Sequence, residues 1–341
     1  MRDELGVAAW IGDSPLARFI AAAAGVPAAI ERVERMSGGA IQQNWLLDVA
    51  LGERPAQFVL RTDGHSSLDL SHSRAQEFAI LKVVRAAGVI VAEPLWVCAD
   101  PLVIGAPFFI MKRVAGTAVP ARVIGEPALG GDRATLAERL GRELARIHAI
   151  RTTQREVAFL PLVRDSPARD MIAANRALID RFEKHSRPVL EWGLRWLERH
   201  APPAGTLVLC HRDFRSGNYM LDDTGVTAIL DWEFAGWGDA AEDLAWFCAR
   251  CWRFGAVDLE AGGIGTREAF YRGYERASGT RVDPRAVRYW EVAAHVRWGI
   301  IAMLQADRHL LGAEPSLELA LTSHIVPELE YEILALTGEW S

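Results

Sequence analysis

The feature that most constrains this chain is a change of hydrophobic period at residues 112–116. Before it, short apolar runs at 31–36, 45–51 and 57–61 have the length and content of strands. Residues 71–87 then show helical spacing, with Phe78, Leu81 and Val84 on one face and Gly88 as the stop. Two more strand-like runs follow at 95–98 and 108–111. After Ala115 the period is helical: 133–150, 170–185, 189–200, then 240–253, 267–278, 284–309 and 317–336, with Pro120, Gly125, Pro127, Gly130 and Gly131 marking a loop first. The expectation is an α+β chain in two parts. Residues 1–113 form a small mixed unit with an antiparallel sheet, and 114–341 form a larger, mostly helical one. A length of 341 residues agrees, since single cores stop growing near about 250–300 residues.

Charge and composition narrow the partners. A net charge of −6 argues against nucleic acid. No run of 18 apolar residues argues for a membrane helix. Residues 16–30 are rich in Ala and Ile, but Asp3, Glu4 and Asp13 are the wrong flank for a signal peptide. An amphipathic helix is expected there, capped by Ser14 with Pro15 in its first turn. Cys98, Cys210, Cys248 and Cys251 are too few for a disulfide framework. A cytoplasmic protein without nucleic-acid or membrane partners is expected, its oligomeric state open.

The chemistry is concentrated in 210–218 and 229–232. An apolar strand (Leu207, Val208, Leu209) leads into a polar loop with His211, Asp213 and Asn218, and a second apolar stretch ends in Asp231. Two carboxylates and an amide facing one volume suit a hard cation such as Mg²⁺ together with a base for a hydroxyl. That combination names phosphoryl transfer. Asp213 is the candidate base, and Asn218 and Asp231 are the candidate metal ligands. Each also has a plain structural use, as a turn cap, a turn residue or a strand-end cap. His211 ends an apolar strand, where a histidine more often shapes the loop than moves protons. Phosphoryl transfer also needs a cradle and a clamp for phosphates. Ser37, Gly38 and Gly39 sit between two strands, where glycines let backbone N–H groups approach phosphate. Arg61 ends the third strand and Glu77 lies on the next helix, a cation fixed by an acid. A surface ion pair is the alternative for that pair.

This pattern resembles the aminoglycoside phosphotransferase family, a branch of the protein-kinase-like fold. The H-x-D-x-x-x-x-N loop is His211, Asp213 and Asn218, and the following acid is Asp231 in Leu230-Asp231-Trp232-Glu233. The stretches 140–148 and 239–245 and the hinge-like 109–116 look like the family's own. The resemblance implies a bilobal kinase-like fold, ATP and Mg²⁺ as cofactors, a structural role for Asp243, and adenine binding by backbone groups of Lys112 and Val114. It departs in two places: Arg61 stands where the family commonly has Lys, and Arg212 where many relatives have Gly. Residues 265–312 look like the subgroup associated with acyl-CoA dehydrogenases, which implies a hydroxy acid or hydroxyacyl-CoA acceptor. The expected activity is ATP-dependent O-phosphotransfer to a small-molecule alcohol. An antibiotic kinase or a catalytically inactive nucleotide-binding regulator is the alternative. Arginines and tryptophans on the later helices, including Arg297, Trp246, Trp252 and Trp298, stand among acids at Asp258, Glu260, Glu275 and Glu291. That mixed balance fits an apolar or anionic alcohol better than a polycation; the alternative is that the tryptophans are core and the arginines solvated faces.

Overall fold

A computed structural model of the chain describes residues 7–36, 42–63, 71–182, 187–312 and 316–338. The backbone divides into two compact units. The first comprises 1–116 with 155–159 and 227–234; the second comprises 117–154, 160–226 and 235–341.

In the first unit, α1 (Pro15–Ala24) precedes strands β1 (Ala28–Arg35), β2 (Gln42–Leu51) and β3 (Arg54–Asp63), then α2 (Arg74–Ala86), β4 (Pro94–Cys98) and β5 (Phe108–Lys112). The strands form one antiparallel sheet in the order β1-β2-β3-β5-β4. Alternation along the strands sends Leu47, Val49, Phe58, Leu60, Phe108 and Ile110 to one face, where they meet Leu16 and Ile20 of α1. Arg61 is out of phase with Phe58 and Leu60 and so projects from the opposite face, where Phe78 of α2 meets Phe109. The helix expected at 16–30 ends early. Gly25, at φ 73°, caps α1, and Ala28 already belongs to β1. Ser73 opens α2 with a capping box to Gln76.

Residues 227–234 join the first unit through Ile229 N–H to Ile90 C=O (2.7 Å), Thr227 Oγ1 to Ala115 C=O (2.8 Å) and His72 N–H to Glu233 C=O (2.9 Å). These bonds carry Asp231 in with them.

The second unit begins with α3 (Pro120–Gly125) inside the stretch expected to be loop, then α4 (Arg133–His148), α5 (Pro167–Ile179) and α6 (Pro188–His200). Strands β6 (Val208–Cys210) and β7 (Tyr219–Asp222) flank the polar loop; β8 (Gly225–Ile229) starts in this unit and ends in residues 227–234 of the first, and β9 (Gly236–Gly238) pairs antiparallel with β6. Helices α7 (Ala240–Cys248), α8 (Arg267–Ser278), α9 (Pro284–Leu310), α10 (Leu317–Thr322) and α11 (Val326–Thr337) complete it. Two long helices of the sequence reading are broken. The 240–253 segment ends as α-helix at Cys248 and continues as a 3₁₀ turn, and 317–336 is interrupted at 323–325 before Pro327 restarts it.

Glycine decides how closely α4 and α8 approach. A Cβ on Gly141 would overlap the Phe270 carbonyl, and one on Gly273 would overlap the Glu138 carbonyl. The two helices touch backbone to backbone, which brings Tyr274 of α8 to His148 at the end of α4.

Candidate active site

The loop between β6 and β7 is built around buried Asp243. That carboxylate accepts His148 Nε2 (3.1 Å) and the backbone N–H groups of His211 (2.6 Å) and Arg212 (2.7 Å). Burial alone would raise its pKa. The His148 hydrogen bond, the histidine charges and the His211 N–H outweigh burial and hold it below the ordinary carboxylate value. His211 is fully buried, and its Nδ1 accepts the N–H of Asp213 (3.2 Å). Its geometry is that of a loop support. Arg212 takes φ 65°, a conformation a glycine adopts without strain. Its Nη2 donates to Trp237 C=O (2.8 Å), and the Asp243 bond holds its N–H.

Asp213 emerges from this scaffold with its carboxylate fully oriented. Oδ1 accepts Arg215 Nε (3.0 Å) and Trp246 Nε1 (3.0 Å), and Oδ2 accepts Asn218 Nδ2 (2.6 Å). Asn218 Nδ2 also donates to the Asp213 carbonyl (2.9 Å). With the nitrogen committed twice to Asp213, the amide oxygen is the atom Asn218 can offer a cation. Gly217, at φ 106°, makes the turn that places it.

In the first unit, acids gather around one arginine. Arg61 Nε lies 3.0 Å from Glu77 Oε1 and Nη2 lies 2.6 Å from Asp231 Oδ1. The expected strand–helix pair is thus formed, but it is buried and shared with a third residue. Arg74 also pairs with Glu77 and reaches Asp63 Oδ1 at 2.9 Å. Burial opposes the charge on Arg61, but Glu77, Asp231 and Glu233 together push its pKa above the ordinary arginine value. Burial and the charge of Asp231 push Glu233 up to about 7, against Arg61 and a 3.1 Å bond from Gln42 Nε2. Asp231 takes φ 64°, a left-handed strain stored at a carboxylate that this network fixes.

At the hinge-like stretch, the Lys112 N–H donates to the Glu93 carbonyl (2.9 Å), and Lys112 Nζ pairs with Glu93 Oε2 (2.6 Å). Any adenine contact from the Lys112 backbone therefore comes from its carbonyl. Val114 follows in the connection to the second unit. Ser37, Gly38 and Gly39 lie outside the described residues.

Residues 32–290 match the model of the phosphotransferase enzyme family. The chain belongs to that family. The chain is 28% identical over 249 residues to acyl-CoA dehydrogenase family member 10 of Mus musculus, covering 68% of this chain and 22% of the relative. It spans between 22% and 36% of the length of the curated relatives it matches here. A solved Ralstonia eutropha structure bearing the aminoglycoside phosphotransferase name is similar at TM-score 0.74 and 19% identity, covering 95% of this chain and 97% of that one. A spectinomycin phosphotransferase solved with ADP and spectinomycin is similar at TM-score 0.62 and 14% identity, covering 94% and 97%. The fold is the protein-kinase-like α+β fold, and the expected likeness to acyl-CoA dehydrogenase family members is borne out.

Three residues that shape the surroundings of Asp213 were not assigned to the site from sequence. Trp246 stood only among the substrate-side aromatics, though it lies three positions after Asp243 and so shares its helix face. Arg215 lies inside the loop motif, but nothing in its spacing tells that it turns back onto Asp213. His148 ends a helix already singled out, and its bond to Asp243 spans 95 positions. Beyond Trp246 the rings continue: Trp252 is 5.2 Å from Trp246 and Trp298 is 4.9 Å from Trp252. Arg297 lies over Trp246 (5.0 Å) and Arg215 over Trp252 (4.7 Å). Trp298 then borders a groove of about 440 Å³ with Leu321, Thr322, His324, Ile325 and Glu328.

The buried trio His148, Cys210 and Asp243 has metal-ligand chemistry and close spacing. Its donors are already committed: both His148 nitrogens, both Asp243 oxygens, and Cys210 Sγ to the Asp239 carbonyl. It serves the loop.

Proposed function

We propose that this phosphotransferase moves the γ-phosphoryl group of ATP to a hydroxyl of a small-molecule alcohol, with Asp213 orienting the hydroxyl and accepting its proton. Asn218 and Asp231 supply oxygens to Mg²⁺, which when bound neutralises charge on the transferring phosphates. The observation that carries the reading is the commitment of Asn218 Nδ2 to Asp213. It orients the base and leaves the hard amide oxygen as the atom of Asn218 for a cation, in one arrangement. Asp231, partly exposed, supplies a carboxylate of the type Mg²⁺ prefers. Two of the five N–H donors of Arg61 are engaged by Glu77 and Asp231, leaving others for nucleotide phosphates. Lys112 and Val114 meet the adenine, and Ser37, Gly38 and Gly39 the phosphates. ADP in the spectinomycin phosphotransferase supports a nucleotide cosubstrate.

For the acceptor, the second unit favours a hydroxy acid or a hydroxyacyl-CoA. The surroundings of Asp213 are tryptophan and arginine, leading to a groove with Leu321 and Ile325 in which Glu328 is the one acid among the lining residues described, a weaker negative charge than a polycationic antibiotic needs. The named acyl-CoA dehydrogenase relatives support the same class. A catalytically inactive regulator is disfavoured because Asp213, Asn218 and Asp231 are all present. Four unpaired cysteines support a reducing, cytoplasmic setting, and no helix among the described residues is long and apolar enough to cross a membrane. The test is incubation with ATP and Mg²⁺ against hydroxy acids, hydroxyacyl-CoA thioesters, choline and aminoglycosides, with mass spectrometry for one added phosphoryl group. Gain on the hydroxy acids or thioesters is expected. Gain only on aminoglycosides overturns the acceptor class, and gain on no alcohol overturns the reaction.

A further inference from the structure

The neighbours of Asp213 treat its two oxygens unequally. Oδ1 accepts both Arg215 Nε and Trp246 Nε1, while Oδ2 accepts only Asn218 Nδ2 among these contacts. A carboxylate offers about four in-plane lone-pair sites, two on each oxygen. Oδ1 is therefore full, and Oδ2 keeps one direction open. We propose that the acceptor hydroxyl docks on Oδ2 of Asp213, and that Trp246 is the positioning residue that enforces this by closing Oδ1. The inference rests on the reading of Asp213 as the residue that takes the hydroxyl.

Trp246 is the stiffer of the two residues on Oδ1. It is buried on α7, with Arg297 over its ring and Trp252 against it. A buried indole N–H needs an acceptor, and Asp213 provides it. Arg215 is a quarter exposed and divides its donors between Asp213 and the Ser216 carbonyl. Without the indole, Arg215 on Oδ1 and Asn218 on Oδ2 would leave one lone-pair direction open on each oxygen, so the carboxylate could present either. The indole closes the one on Oδ1.

The step then has one geometry. The acceptor oxygen bonds to the γ-phosphorus as its proton passes to Oδ2. The bond from the γ-phosphorus to the bridging oxygen breaks, and its electron pair leaves on the nucleoside diphosphate. With an acceptor carrying two hydroxyls, a single open lone-pair direction selects one of them.

The experiment uses the full chain with ¹⁵N-labelled tryptophan. The indole N–H signal absent in folded Trp246→Phe belongs to Trp246. In Asp213→Ala that signal moves upfield, because its carboxylate acceptor is gone. In kinetics, Trp246→Phe lowers kcat roughly ten- to a hundredfold, as expected for a misplaced reacting group. The KM for ATP is unchanged, and a two-hydroxyl acceptor yields two phosphorylated isomers where the wild type yields one. An indole signal that ignores Asp213→Ala overturns the inference alone, whatever the activity. So does a folded Trp246→Phe enzyme with wild-type kcat and a single isomer. A wild type that phosphorylates no alcohol overturns the proposed function, and with it the docking of a hydroxyl on Oδ2.

Discussion

Arg61 Nη2 donates to Asp231 Oδ1 at 2.6 Å while its Nε faces Glu77, so one guanidinium holds two carboxylates that come from distant parts of the chain. The sheet makes this possible. Arg61 leaves the face opposite the α1 core, Glu77 stands in the first turn of α2, and residues 227–234 bring Asp231 into the same unit. The arrangement gives Arg61 a structural duty separate from any contact with nucleotide.

That duty predicts a stability cost. Arg61→Met leaves Glu77, 2% exposed, and Asp231 without their shared cation. Removing one partner of a buried pair costs about 3–5 kcal/mol, and the lower end is expected because Arg74 still neutralises Glu77. Arg61→Lys restores part of this, since an ammonium is a point charge without the two-sided fork. Urea unfolding of the three proteins checks the order. A loss of only about 0–1 kcal/mol for Arg61→Met, the size of a surface pair, contradicts it.

The proposed roles of the two metal candidates and the base separate in kinetics. Asp213→Asn is expected to lower kcat by about 10²–10⁴-fold, the usual worth of a positioned general base. Nucleotide affinity, measured by calorimetry, stays near wild type. Asn218→Ala and Asp231→Ala instead raise the Mg²⁺ concentration needed for half-maximal rate. An Asp231→Ala enzyme with an unaltered Mg²⁺ dependence removes Asp231 from the metal site.

Much of this was legible because the hydrophobic period reports local structure directly. Five strands, α2 and most of the later helices follow from spacing alone, and the loop motif placed Asp213 and Asn218 in one turn. The failures have physical causes. At 16–30 the apolar content continues past Gly25, but a left-handed cap ends the helix whatever the composition. At 240–253 and 317–336, helical spacing persisted through 3₁₀ turns that the period cannot distinguish. The Arg61–Asp231 pair joins residues 170 positions apart, and the Trp246–Asp213 bond joins residues 33 apart. No local pattern encodes such contacts.

The α4–α8 contact predicts a second stability effect, one that reaches the loop carrying Asp213. Gly141→Ala places a methyl against the Phe270 carbonyl, which is backbone and cannot rotate away. Overpacking costs about 1–3 kcal/mol, and the upper end is expected here. Parting the helices also stretches the 3.0 Å contact between Tyr274 and His148, and His148 supports Asp243. Thermal unfolding should show the loss, and kcat should fall more than the folded fraction does. A Gly141→Ala protein as stable as wild type means that α4 and α8 are not in backbone contact.

Acid titration isolates His295. This buried side chain has Nδ1 against the Glu291 carbonyl at 2.7 Å. Burial, with the charges of Arg253 and Arg250, pushes its pKa from 6.5 down to about 4 despite that bond. The unfolded chain therefore binds the extra proton first. The stability that neutral His295 contributes is fully present above about 6.5 and is lost as pH falls to about 4, a change of about 3 kcal/mol. Glu233 runs the other way. Its carboxyl, raised from 4.5 to about 7, contributes stability below pH 4.5 that is lost as pH rises through 7. The two slopes oppose each other across the same window, so the raw curve of the wild type can look nearly flat there. The prediction is for the difference: unfolding free energies of wild type minus His295→Leu should decline steadily from pH 6.5 to pH 4. A difference constant across that range means His295 titrates alike folded and unfolded, and the buried, neutral imidazole is wrong.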